Sequence, residues 1–242
     1  MPNGVKGARL AAGYPYTATR VHTRAFAPKS VQTNTSFLDT AFALEPNDEV
    51  TVSVWARRAP WTTGWPITAE KRTNGVAGWS LSSQNGSPTN HPYIRVDTSA
   101  GSSQVISYTG AGGFEFRRQE FCMMTFALNL GVYRLWINGV FNRSGTYNHG
   151  NGLANTSNFS LATATGTACS MDVSIWNREL SDAEVTALYY QGTVPMNGLV
   201  LRWPMLEGVG NPQDISGNDY HATTTGTYAS RDNAPIGLRS FA

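Results

Sequence analysis

Alternation of apolar and polar side chains is the feature that most limits the folds open to this chain. From residue 49 to residue 57, valine or alanine occupies every second position, and threonine, serine, tryptophan and arginine lie between them. A period of two over this length is typical of a β-strand with one face in a core. Further strand candidates are the segments 93–97, 104–108, 159–161, 170–176 and 199–203. The pattern predicts an all-β fold.

Two of the candidate strands carry more detailed information. The segment 121–128 is apolar on both faces, which predicts a central strand covered on each side. In the segment 170–176 the alternation places Met171, Val173 and Ile175 on one face.

Local motifs predict one hairpin and one helix. Asn138-Gly139 lies between two β-rich runs, and a type I′ turn requires the positive φ that this pair tolerates. Ser181 and Glu184 have the spacing of a capping box, and Gly192 supplies a left-handed stop. These signals predict a helix over 182–191, packed against one edge of the sheets.

Composition restricts the class of protein. The chain has 242 residues, of which 40% are hydrophobic and 14% charged, which argues against long disorder and excludes a coiled coil. No apolar run approaches the ~18 residues of a membrane span, and the first residues lack the apolar core of a signal peptide. We therefore expect a folded protein with no membrane contact.

The chain has two cysteines, Cys122 and Cys169. Without an export signal both are expected to be reduced, with a disulfide between them as the alternative in an oxidising compartment.

Three segments in a fixed order carry a family resemblance. They are 50–55, 134–139 and 172–185, with the sequences VTVSVW, RLWING and DVSIWNRELSDAEV. In this order the chain resembles the laminin-G-like and pentraxin-like branch of the concanavalin A-like jelly rolls. A fourth segment, LVLRWPMLEG at 199–208 followed by DISGN at 214–218, is similar to the opening strand and turn of that family.

The resemblance implies a two-sheet antiparallel jelly-roll sandwich over residues 36–242, with one short capped helix. Residues 197–242 then either complete the sandwich with their own strands or reach a neighbouring subunit. Residues 1–35 are expected to form an extended arm with one edge strand, because their periodicity is weak. Jelly rolls of this kind occur in secreted lectin-like modules and in bacteriophage virion proteins, and the fold does not choose between them.

The arm differs from the rest of the chain in charge. Residues 1–38 contain five basic and no acidic residues, whereas residues 39–242 contain 13 basic and 16 acidic ones. An extended basic segment gains buried area and charge complementarity when it is ordered on a partner. This predicts a partner-binding role for Arg9, Arg20, Arg24 and Lys29. The alternative is a solvated or locally packed terminus.

No motif in the chain predicts catalysis. Glucanases related to the resembled family place two acidic residues on alternate positions of one strand, and no Glu-x-Asp-x-Glu occurs here. The four histidines are isolated from any catalytic or metal-binding motif. Asp214, Asn218 and Asp219 offer oxygen ligands for calcium, but an Asx-turn accounts for them better because calcium requires six or more oxygens. We expect no enzyme activity, no cofactor and no metal.

Carbohydrate binding requires aromatic side chains beside polar groups on an exposed surface. The stretch 60–93 holds such residues: Trp61, Trp65, Trp79, His91 and Tyr93. Aromatic residues in a sandwich also pack in the core, which is the alternative for each of them. Trp55 and Trp136 lie opposite the aliphatic faces of their strands, which favours a second covered face over a ligand site.

Two functions follow as hypotheses. The first is a non-enzymatic structural protein of a bacteriophage virion, a capsid decoration or fibre-like component, located in the virion and assembled in the host cytoplasm. Its partners would be other virion proteins or copies of itself in a homo-oligomer, without direct nucleic-acid contact. The alternative is a secreted or surface carbohydrate-binding module that recognises a cell-surface glycan outside the cell.

Overall fold

The strands and the helix belong to two antiparallel sheets. The computed structural model describes residues 30–33, 37–40, 49–58, 67–73, 77–86, 89–98, 102–107, 121–150, 152–154, 156–163, 168–204, 211–225 and 229–231. Sheet A contains β1 (Ser30–Thr33), β3 (Glu49–Arg58), β8 (Cys122–Asn129), β9 (Val132–Ile137), β10 (Val140–Thr146), β12 (Ala168–Trp176), β13 (Leu199–Trp203) and β15 (Ala229–Arg231). Sheet B contains β2 (Phe37–Thr40), β4 (Ile67–Thr73), β5 (Ala77–Gly86), β6 (Thr89–Thr98), β7 (Ser102–Ser107), β11 (Phe159–Thr163) and β14 (Thr223–Thr225).

The strand order shows how distant segments meet. Sheet A runs β10-β9-β8-β3-β12-β1-β15, with β13 also paired to β12, and sheet B runs β14-β2-β11-β4-β5-β6-β7. All pairs are antiparallel, as the family resemblance implied. The one helix of the described residues is α1 (Asp182–Gln191). No helix in this part of the chain has the length and apolarity needed to cross a membrane.

Aromatic rings from both sheets meet in the core. The ring centroid of Trp79 lies 5.2 Å from that of Phe126 and 6.1 Å from that of Phe159, and Phe159 lies 5.4 Å from Trp203. All four side chains are buried. Because Phe126 and Trp203 belong to sheet A while the other two belong to sheet B, these contacts join the inner faces of the sandwich. Cys122 is a free thiol buried in the same core, and burial raises its pKa.

Strand β3 is buried on both faces, whereas its alternation predicted a single face in the core. The valines face the sandwich core, while Thr51 and Trp55 are buried on the opposite face. The Thr51 hydroxyl donates to the Arg178 carbonyl at 2.7 Å and accepts from the Leu180 amide at 3.1 Å. Trp55 stacks on Tyr189 of α1 with 5.4 Å between centroids. The helix and the loop before it therefore cover this face, as the position of Trp55 suggested.

The helix and the hairpin agree with their local signals. Helix α1 begins after Ser181, whose hydroxyl accepts from the Glu184 amide, and ends before Gly192 at φ +68°. Asn138 and Gly139 both have positive φ, as a type I′ turn requires. Strand β8 is buried along nearly its whole length between β3 and β9, so the prediction of a central strand is confirmed.

The predicted common face is confirmed for Val173 and Ile175, which pair with Trp203 and Leu201 of β13, but a bulge in β12 separates Met171 from them. Met171 pairs with Trp55 and Ile175 pairs with Val52, with a register shift between positions 171 and 174. Trp55 and Val52 are an odd number of residues apart on β3, so their partners lie on opposite faces. Asp172 has φ +45° and marks the extra residue.

The two ends of the described chain pair with the sandwich itself. Strand β1, in the last part of the predicted arm, pairs with both β12 and β15. Strand β13 pairs with β12, and β14 pairs with β2. The C-terminal strands therefore extend both sheets within the same chain.

Candidate functional site

The outward side of the three strands β4, β5 and β6 carries a dense group of polar side chains. Their inward residues, among them Ala69, Trp79 and Ile94, belong to the core. The register of these strands then places eight residues on the opposite side, which we call the β4–β6 face. It consists of Glu70, Arg72, Gly78, Ser80, Ser82, Tyr93, Arg95 and Asp97.

The middle strand of the β4–β6 face is lined with small residues. Gly78 pairs with Arg72 on one side and with Asp97 on the other. Neighbouring strands lie ~4.8 Å apart, so β4 and β6 are separated by about 10 Å. Because Gly78 has no side chain, the long Arg72 side chain can cross β5, and its Nη1 lies 3.1 Å from Oδ2 of Asp97. Ser80 is almost fully buried, so the outer surface of the face is formed by the longer side chains.

Four charged side chains form one chain of alternating sign. Arg72 Nε lies 3.1 Å from Glu70 Oε2, and its Nη1 contacts Asp97 as described. The other oxygen of Asp97 accepts from Arg95 Nε at 3.0 Å. The Asp97 side chain is fully buried, so both guanidinium partners are needed to offset the loss of its hydration. The ion pairs fix the positions of the exposed guanidinium groups.

Tyr93 lies on the same face next to this chain of charges. Burial raises the pKa of its phenol, Arg95 and Arg72 oppose that rise, and Asp97 adds to it. Tyr93 therefore offers a neutral hydroxyl that can both donate and accept hydrogen bonds. The arrangement is therefore a rigid hydrogen-bonding surface with one aromatic ring.

Only part of the predicted carbohydrate-binding set lies on this face. Tyr93 lies on it. His91 is two residues earlier in β6 and pairs with Gln84, but its side chain lies outside the described part of the structure. Trp79 requires a correction: its side chain is 1% exposed and packs against Phe126 in the core. The small residues that alternate with it on β5 take the outward positions instead. Trp61 and Trp65 lie outside the described residues.

The predicted docking charges also lie outside the described residues: Arg9, Arg20, Arg24 and Lys29. Their role therefore stays a prediction from the sequence. The candidate site residues that were not predicted from the sequence are Glu70, Arg72, Arg95 and Asp97. The alternation in 93–97 indicates that Arg95 and Asp97 share one face of a strand. That Glu70 and Arg72 of β4 lie on the same face depends on the sheet register.

The candidate calcium segment forms the predicted Asx-turn. Asp214 Oδ1 accepts from the amides of Arg202 and Ser216, at 2.8 and 2.9 Å. Its Oδ2 accepts from the Ser216 hydroxyl and the Tyr220 amide, at 2.8 and 3.0 Å. Gly217 has φ +97°, as the turn requires. Both carboxylate oxygens are thus engaged in holding the turn against β13. Across the residues with described side chains, no group of three or more metal-binding residues occurs.

Comparisons with known proteins agree with this architecture. The Laminin_G_3 family model, described as the concanavalin A-like lectin/glucanases superfamily, matches residues 30–186. The match begins at the first residue of β1 and extends into α1. No curated protein sequence matches the chain.

A solved structure shares the fold at low sequence identity. It is that of a Bacteroides ovatus protein to which carbohydrate binding has been ascribed, with TM-score 0.62 and 14% identity. The alignment covers 88% of this chain and 62% of that one, so the chain spans less than two thirds of its length. The binding domain of Paraclostridial Mosquitocidal Protein 1 is also similar, with TM-score 0.49, 18% identity and coverage of 70% and 42%. By its family match, the chain belongs to the concanavalin A-like lectin/glucanase superfamily, in the Laminin_G_3 family.

Proposed function

We propose that this protein is a non-enzymatic, lectin-like saccharide-binding module, and that the β4–β6 face is its contact surface. The observation that carries the proposal is the chain of ion pairs from Glu70 through Arg72 and Asp97 to Arg95, with Tyr93 beside it. The family membership and the ascribed carbohydrate binding of the Bacteroides ovatus protein are consistent with it.

The chemistry of the face suits saccharide hydroxyl groups. A hydroxyl both donates and accepts, so it pairs with a guanidinium and with a carboxylate at the same time. Hydrogen bonds to charged groups are about twice as strong as those between neutral groups. Because the ion pairs already hold Glu70 and Arg95 in place, little side-chain entropy is lost when a ligand binds. The Tyr93 ring adds apolar area for the C–H faces of a sugar.

The absence of enzyme activity is part of the proposal. Each carboxylate of the face is engaged by a guanidinium, which favours a role as a hydrogen-bond acceptor over proton transfer. An assay with β-glucan and other polysaccharide substrates tests this part, and we expect no release of reducing ends.

The virion role remains the second hypothesis, and it depends on residues outside the described part. Because β1 begins at Ser30 and pairs on both sides, a test should delete residues 1–29 rather than the whole predicted arm. The hypothesis predicts that the shortened protein folds but no longer associates with its particle or oligomer. Association unchanged by the deletion would count against it.

The test of saccharide binding compares two arginines of equal exposure. Arg95 and Arg134 are each 27% exposed and each take part in ion pairs, but Arg134 lies next to α1 on the other sheet. On an immobilised glycan panel we expect Arg95→Gln to weaken binding at least about tenfold, because a hydrogen bond to a charged group contributes about 1.5–3 kcal/mol. Arg134→Gln should bind as the unmodified protein does. Failure of the unmodified protein to bind any glycan, or equal binding by all three proteins, would contradict the proposal.

A further inference from the structure

We infer that the saccharide recognised by the β4–β6 face is uncharged, and that its binding is insensitive to salt. The inference rests on the proposed function and specifies the ligand class of the same site. It follows from the number, the pairing and the depth of the charges on this face.

The described charges on the face cancel. Glu70 and Asp97 supply two negative charges, and Arg72 and Arg95 supply two positive ones. Each is within 3.1 Å of a group of opposite sign. A surface whose charges cancel over such short distances produces little field beyond a Debye length, so it neither attracts nor steers an ionic ligand.

The groups nearest to solvent are one of each sign. The Arg95 side chain is 27% exposed and that of Glu70 is 21% exposed, whereas Asp97 is fully buried beneath them. An approaching ligand therefore meets donor groups and acceptor groups side by side. Hydroxyl groups complement both, and a carboxylate or sulfate complements only the donors.

An acidic saccharide would also disturb the ion pairs. Its anionic group would lie near Glu70 and Asp97 and would compete with them for the same guanidinium groups. Withdrawal of a guanidinium from Asp97 would leave a buried charge without a full complement of partners, which is strongly destabilising. A neutral saccharide leaves all three ion pairs in place.

The experiment uses matched ligands and the full-length protein. Neutral hexose oligosaccharides, such as galactose oligomers, are paired with their uronic acid counterparts, and dissociation constants are measured by calorimetry from about 0.05 to about 0.5 M NaCl. We expect the neutral member of the bound pair to bind at least about tenfold more tightly, with a dissociation constant that changes less than about twofold over the salt range.

A second variant changes the charge without removing the side chain. Glu70→Gln keeps the shape of the side chain, but the described residues of the face then carry a net charge of +1, from Arg72, Arg95 and Asp97. We expect it to improve binding of the uronic acid member and to make that binding salt-dependent. Circular dichroism and urea unfolding establish that the variant folds.

The outcomes separate the two claims. Tighter binding of the uronic acid member by the unmodified protein, weakened by salt, would overturn the inference of an uncharged ligand and leave saccharide binding intact. Equal binding of both members would also overturn it. Binding of neither member, together with a silent glycan panel, would overturn the proposed function itself.

Discussion

A buried lysine inside the sandwich makes the stability of the fold depend on pH in a predictable direction. Lys71 lies on the inward side of β4, paired with Trp79, and is only 1% exposed. Its ammonium donates to the Ser157 carbonyl at 2.6 Å. Burial lowers the pKa of Lys71 from 10.5 to about 8. We predict that Lys71→Met, which keeps the unbranched stem and removes the charge, stabilises the protein at pH 7.

The magnitude follows from the lowered pKa of Lys71. One pKa unit corresponds to about 1.4 kcal/mol, so the lowered pKa is equivalent to a destabilisation of about 3 kcal/mol while both folded and unfolded states are protonated. The lost hydrogen bond from the charged ammonium to the Ser157 carbonyl offsets about 2 kcal/mol of this. We therefore expect Lys71→Met to be more stable than the unmodified protein by about 1 kcal/mol at pH 7.

The pH dependence gives the sharper result. Between pH 8 and pH 10.5 the unfolded state binds more protons than the folded state, so the unmodified protein gains stability as the pH rises. The advantage of Lys71→Met should shrink by about 1 kcal/mol between pH 7 and pH 9. Burial raises the pKa of the Cys122 thiol, so it keeps its proton in the folded state and titrates only in the unfolded state; this contribution is the same for both proteins and cancels in the difference.

The assay is urea unfolding followed by tryptophan fluorescence at pH 7, 8 and 9, with both proteins measured side by side. A variant less stable than the unmodified protein at pH 7, or an advantage that does not change with pH, would refute the reasoning about Lys71. Unchanged m-values are required for the comparison, because a change would indicate an altered denatured state.

Two further predictions concern the helix and its neighbouring hairpin. Gly139→Ala should destabilise the protein by more than Gly217→Ala does. At both positions the backbone has a positive φ, which costs an alanine about 1–3 kcal/mol. Only at position 139 would the new Cβ also clash, at 2.6 Å from the Cβ of Tyr189. Urea unfolding of both variants measures the difference, and equal losses would contradict it. The hydrogen bond and the charge of Arg178, together with the hydrogen bonds to Ser181, lower the pKa of Glu184 from 4.5 to about 2. The ionised Glu184 therefore stabilises the folded state above pH 4.5, and this stabilisation is lost as the pH falls from 4.5 to 2. Thermal unfolding of Glu184→Gln should show a shallower decline between pH 4.5 and 2 than the unmodified protein, and parallel curves would argue against the ion pair.

Features encoded by neighbouring residues were predictable from the sequence. The bounds of α1 depend on a capping box and a glycine stop, and the β9–β10 turn depends on the Asn138-Gly139 pair. The bulge in β12 was not predictable, because it depends on Asp172 adopting φ +45°, which no turn signal announces. The fold class followed from the order of three motifs that span most of the sandwich.

The candidate site was harder to predict because it depends on register. Period-two alternation divides a strand into two faces but does not state which one lies in the core. Neither β4 nor β5 was predicted as a strand, and in the structure Trp79 of β5 faces the core while the glycine and serines that alternate with it face outward. The contact between Arg72 and Asp97 joins residues 25 positions apart across an intervening strand. No single segment of the sequence contains that information.

The most direct test of the central claim is to map a bound saccharide onto the fold by NMR. Uniformly ¹⁵N-labelled protein is titrated with a glycan selected from the panel, and the shifts of the backbone amides are followed. If the β4–β6 face binds the glycan, the largest shifts cluster in 69–73, 78–82 and 93–97, and the amides of α1 and of the β9–β10 hairpin do not shift. Shifts centred on α1 or β10, with β4 to β6 unaffected, would contradict the assignment of the β4–β6 face.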